Sequence, residues 1–96
     1  MQLTFKINFE NDSIVVVDSI MQKPCGLVVV GIIENGNISK GDPVSIQVDG
    51  KETIHDQIKR IEVYHKEVTT AISGQLIGLC LTKTSKEKLL QYLGRN

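Results

Sequence analysis

The chain has 96 residues, 41% of them apolar, and its eleven Lys and Arg balance eleven Asp and Glu to a formal charge of zero. That length sets one domain over residues 1–96 around one modest core, and the balanced charge excludes a global field that would draw the chain to nucleic acid or an anionic membrane. The apolar residues are chiefly Val, Ile and Leu rather than aromatics, which favours a core of β-branched strands.

Leu3, Phe5, Ile7 and Phe9 alternate with Thr4, Lys6 and Asn8, the period of a strand with one buried and one wet face. Glu10 to Ser13 supplies turn chemistry, and Ile14 to Ile20 then runs nearly continuously apolar. Lys23-Pro24-Cys25-Gly26 breaks that run, and a further strand is predicted from Leu27 to Ile33. Asn35-Gly36 and Ser39 to Pro43 form two turn clusters with only Ile38 between them. Val44, Ile46 and Val48 alternate up to a hairpin corner at Asp49-Gly50. Between Thr53 and Tyr64 the pattern is ambiguous, because Ile54, Ile58 and Ile61 fit helical spacing while Ile61 and Val63 fit a strand. Val68, Ala71 and Gly74 read as a polar connection, and Ile77, Leu79 and Leu81 as a last strand with a bend or close backbone approach at Gly78. From Thr84, a capping box with Glu87, an apolar stripe of Leu89, Leu90 and Leu93, and a stop at Gly94 predict a short C-terminal helix, with an irregular sealing turn as the alternative.

The run Gly26-Leu27-Val28-Val29-Val30-Gly31 through Gly41-Asp42-Pro43-Val44 closely resembles the signature of the second domain of elongation factor Tu and related translational GTPases. Ile61 to Lys66, followed by Val68, Ala71, Gly74, Ile77, Gly78 and Leu79, is similar to that family's later segment. The resemblance spans about residues 15–82. It implies an all-β fold, a small closed Greek-key-like barrel of about six strands ending in a short C-terminal helix or turn, and a strand over about Asp56 to Tyr64. Gly31, Gly36, Gly41, Gly74 and Gly78 then fall where a small barrel needs corners or bulges.

In the family this barrel follows a GTPase domain and helps hold the aminoacyl end of a transfer RNA or contacts ribosomal RNA. The sequence has no G-x-x-x-x-G-K-[ST] phosphate loop, so no nucleotide is expected here. Asp18, as the second member of an acidic pair, and Glu62 match acids of the family's aminoacyl-transfer-RNA pocket, whereas Val17 stands where the first acid of the pair would be, Ile20 replaces an aromatic and Leu76 a polar side chain.

Lys59, Arg60, His65 and Lys66 cluster in sequence, with Tyr64 as a stacking ring and Lys83, Lys86 and Lys88 further on, giving a candidate face for RNA or another partner. His55 and His65 have no metal-ligand spacing, and Ser, Thr and Cys have no base at suggestive spacing, so neither an enzyme nor a cofactor is expected. Cys25 and Cys80 lack CxxC spacing and the N-terminus alternates instead of running apolar, which gives the expectation of a cytoplasmic protein with reduced thiols. No run is long enough to span a membrane. The functional expectation is a non-catalytic binding module that contacts RNA or the ribosome. The alternative is a protein-interaction module, pairing through an exposed edge such as residues 2–9 or through the C-terminal apolar stripe. Near-neutral charge also leaves little repulsion against self-association.

Overall fold

A computed structural model describes residues 5–47 and 52–94. Its elements in chain order are β1 (Phe5–Phe9), β2 (Ile14–Lys23), β3 (Gly26–Asn35), β4 (Asn37–Ser39), β5 (Pro43–Ile46), β6 (Ile54–Val63), β7 (Lys66–Val68), β8 (Thr70–Ile72), β9 (Leu76–Leu81) and α1 (Lys86–Gly94). Leu3 and the corner read at Asp49-Gly50 lie outside the described residues.

Six strands close into an antiparallel barrel in the order β1-β2-β3-β9-β6-β5, with β5 returning to pair with β1. After β3 the chain supplies β4 to β8 before coming back as β9 between β3 and β6, a Greek-key-like path. Every second side chain points inward: Val15 and Val17 of β2, Leu27 and Val29 of β3, and Leu79 and Leu81 of β9 are wholly buried in one core. Three further short strands lie in segments read from sequence as turn and connection. β4, around the lone Ile38, pairs with β8 around Ala71, and β7 adds to β6.

The ambiguous segment is strand β6, and its misleading spacing has a physical cause. The ladder with β9 shifts register between Ile58 and Arg60, so Lys59 is an extra, unpaired residue. Ile58 and Ile61, three apart, therefore both face the core, which imitates a helix. A second shift between Val17 and Ser19 leaves Asp18 as the extra residue of β2.

Several expectations are corrected. The N-terminal strand is no edge, because β1 pairs with β2 on one side and β5 on the other. The C-terminal segment is a helix, but its stripe faces the barrel: Leu89 is fully buried, Leu93 packs on the core, and only Leu90 is exposed. Ser85 rather than Thr84 caps it, its Oγ accepting the Lys88 N–H at 3.1 Å. The described residues contain no helix long and apolar enough to cross a membrane.

Thr84 is engaged elsewhere. The buried Asp56 carboxylate of β6 accepts the N–H groups of Gln57 (2.6 Å), Thr82 (3.0 Å), Lys83 (3.0 Å) and Thr84 (2.7 Å), and the Thr84 hydroxyl at 2.6 Å. This ties the connection after β9 across the end of the barrel and sets where α1 begins. Burial alone would raise the Asp56 pKa, but the hydrogen bonds from Thr84, Gln57 and Lys83 outweigh it and hold the carboxyl below its ordinary 3.8. A carboxyl with a depressed native pKa stabilises the fold above its unfolded value. That stabilisation is lost as pH falls from about 3.8 through the lower native value.

Denaturant midpoints measured against pH are expected to drop across that acid window, and Asp56→Ala to lose about 3 kcal/mol at neutral pH while flattening the acid-dependent part. Gly31 provides a second check. A Cβ there would lie 2.2 Å from the Val16 carbonyl oxygen, so Gly31→Ala is expected to destabilise the barrel by about 3 kcal/mol or prevent folding, read by chemical denaturation.

Candidate functional site

Inward alternation leaves a second set of side chains on the outside of the same strands. Strand pairing sets them in rows across β2, β3, β9 and β6. Met21 opposes Val28, Val28 opposes Cys80, and Cys80 opposes Arg60. In the next row Val30 opposes Gly78, and Gly78 opposes Glu62. Because Gly78 has no side chain, the sheet surface is hollow between Val30 and Glu62. The ladder runs through Gly78 in regular register, so in place of a corner or bulge this glycine opens a depression.

The resulting pocket has a volume of about 320 Å³. Met21, Val28, Val30 and Cys80 give it apolar walls, with Leu76 at one side. Arg60, Glu62, Tyr64, His65 and Lys23 bring polar groups to it. Leu76 and its cross-strand neighbour Ile32 are about half exposed, so apolar surface continues past the pocket.

Tyr64 and His65 reach this place through an unusual turn. Val63 pairs with Lys66, leaving the two residues as a two-residue hairpin loop with φ of 53° and 64°. Such loops favour Asn-Gly, since bulky L-residues resist positive φ. Here a phenol and an imidazole occupy both positions, and the Tyr64 ring is 81% exposed beside the pocket. Backbone strain of this kind concentrates at functional sites.

The structure divides the residues singled out from the sequence. Arg60, Tyr64, His65 and Glu62 are brought together at the pocket. Lys59 is exposed, and its Nζ donates to the Cys25 carbonyl oxygen at 3.1 Å. Lys66 is exposed on β7, outside the pocket lining. Asp18, the extra residue of β2, is exposed and does not line the pocket, while Val17 is buried in the core. Arg60 faces carboxylates on two sides, Glu62 at 4.0 Å and Glu67 at 3.8 Å, and Lys40 lies 3.7 Å from Glu67. These exposed pairs contribute little to stability. They do offset much of the positive charge read from the sequence.

The apolar floor escaped the sequence reading. Its signal was the unbroken run from Leu27 to Val30, which is apolar on both faces where a simple half-buried strand would alternate. Cys80 is buried, but on the outer face, with its thiol pKa pushed up to about 12 by burial first and by Cys25 second.

A closed antiparallel barrel with an apolar pocket on its outer wall defines a small β-barrel module. The family model for elongation factor Tu domain 2 matches residues 26–91, and the chain belongs to that family. It is 39% identical over 61 residues to the chloroplastic elongation factor Tu of Coleochaete orbicularis, covering 64% of this chain and 14% of that protein. It is 33% identical over 58 residues to the selenocysteine-specific elongation factor of Mus musculus, covering 60% of this chain and 9% of that protein. The chain thus spans only a small part of the length of either relative.

The strained turn yields a test independent of any partner. Replacing the pair with the favoured one, Tyr64→Asn with His65→Gly, is expected to raise stability by about 1 kcal/mol, measured by urea denaturation.

Proposed function

We propose that the chain is a non-catalytic binding module of the translation apparatus, working in the cytoplasm beside ribosomes, and that it contacts RNA at the outer-face pocket. The observation that carries this reading is the pocket's composition: an apolar floor of Val28, Val30 and Cys80 beside an exposed Tyr64 ring, with Arg60 and His65 at hand. An unpaired nucleobase has a flat apolar face suited to such a floor, and stacking on an aromatic ring contributes about 1–3 kcal/mol per base. Arg60, His65 and the nearby Lys59 supply donors for the attached phosphate and ribose. Membership of the elongation factor Tu domain 2 family supports a place in translation.

A second reading has its own support. Ile32 and Leu76 extend the apolar surface beyond the pocket, and the acids around Arg60 reduce its pull on phosphate, both of which suit a protein partner.

Retention of the chain on ribosomes and on single-stranded RNA across a salt series separates the two. Phosphate contact gives binding that falls steeply with salt. Tyr64→Ala is expected to weaken RNA retention about tenfold, within the range of one lost stacking contact. Gly78→Val, which fills the hollow, is expected to weaken it at least as much while leaving the barrel folded by circular dichroism, since a Cβ at Gly78 meets Val28 at an ordinary 3.7 Å. Retention unchanged by both substitutions would move the site off this pocket, and no RNA retention at low salt would leave the protein-partner reading.

A further inference from the structure

We propose that Cys25 and Cys80 form a reversible dithiol–disulfide pair that locks the turn between β2 and β3 onto β9. The two residues lie far apart in sequence, and the barrel brings them together on its outer face. Pairing of Val28 with Cys80 and of Leu27 with Leu81 lays the start of β3 along the end of β9. A Cβ built on Gly26, the residue next to Cys25, would stand 3.6 Å from Cys80 Sγ. Cys25 is close enough to Cys80 to help raise its thiol pKa, and Lys59, bonded to the Cys25 carbonyl oxygen, acts on the same thiol in the opposite sense. Lys59 fastens the same turn from the far side of β9, through its bond to the Cys25 carbonyl oxygen. Backbone pairing on one side and a lysine on the other therefore hold the Cys25 turn beside the Cys80 sulfur.

Their exposures assign different roles. Cys25 is half-buried at the turn and can be reached by a small reagent, whereas Cys80 is 2% exposed. In the presence of a low-molecular-weight disulfide, the Cys25 thiolate attacks one of its sulfurs, expels one small thiolate and becomes a mixed disulfide. Cys80 then gives up its proton to that thiolate, and its sulfur attacks Cys25 Sγ, expelling the second small thiolate, which takes up the proton lost by Cys25. Two protein thiols are oxidised and one small disulfide is reduced to two thiols. Burial keeps Cys80 protonated in the resting state, which protects it from direct attack. Conversion of Cys25 to a mixed disulfide removes the thiol that helps raise the Cys80 pKa, while Lys59 and Arg60 still favour the Cys80 thiolate. A high-pKa thiolate is also the stronger nucleophile once formed.

The link does not depend on which partner the pocket takes. The test is incubation of the full chain with oxidised glutathione, alkylation of remaining thiols with a maleimide, and intact-mass and peptide analysis. The expected product is a monomer lighter by two hydrogens, carrying no maleimide and yielding a peptide that joins Cys25 to Cys80. Dithiothreitol should reverse it. Cross-linking so long a loop is expected to raise the apparent Tm by about 10 °C. Cys80→Ser should stop at a stable glutathione adduct on Cys25, and Cys25→Ser should leave Cys80 unmodified over the same time. A wild-type chain that stops at the Cys25 adduct, that links between molecules, or that keeps both thiols open to the maleimide would overturn the proposal.

Discussion

The rest of the molecule depends on β5, four residues long, being paired on both of its sides. Val44 lies opposite Phe9 of β1 and opposite Asp56 of β6, and with those two ladders the sheet has no opening. Closure removes the six barrel strands from the class of exposed edges. It also forces a clean division of labour between faces. Inward positions are chiefly apolar and of fitted volume, so the exposed side chains of these strands stand on the outer wall. The Asp56 carboxylate completes the arrangement by fastening the chain after β9 across the barrel end, where Leu89 and Tyr92 of α1 settle on the core.

How much of this was legible in the sequence depended on whether each signal was local. Strands with strict alternation, such as β1 and β5, and the Asn35-Gly36 turn announce themselves through neighbouring residues. The barrel came from the glycine and valine pattern shared with the translation-factor domain, not from periodicity alone. β4, β7 and β8 were invisible because three residues carry too little pattern, and each exists only because a distant partner supplies its hydrogen bonds. The segment 53–64 was ambiguous by pattern alone because an unpaired Lys59 shifts the inward positions by one, a feature defined by the partner strand rather than by β6 itself.

The candidate site shows the same limit. Arg60, Glu62, Tyr64 and His65 are close in sequence and could be nominated together. Met21, Val30 and Gly78 join them only through cross-strand register, and the apolar character of the floor cannot be read from a list of charges. Asp18 and Lys66 went the other way: their residue types fitted a pocket, but backbone placement leaves them outside it. Likewise Thr84 had the chemistry of a helix cap, yet a buried carboxylate more than twenty residues away took its hydroxyl and its N–H.

The unpaired residue in β6 has one more effect, on what composition the barrel can tolerate. In an unbroken ladder, two consecutive residues stand on opposite sides of the sheet, so adjacent Lys59 and Arg60 would place one cation among Ile58, Ile61 and Leu79, at a prohibitive desolvation cost. The backbone irregularity rotates the chain by half a pleat and lets both cations face solvent. A doubly basic sequence thus becomes compatible with a closed hydrocarbon interior, and the molecule can carry neighbouring positive charges on a strand whose other face is oil.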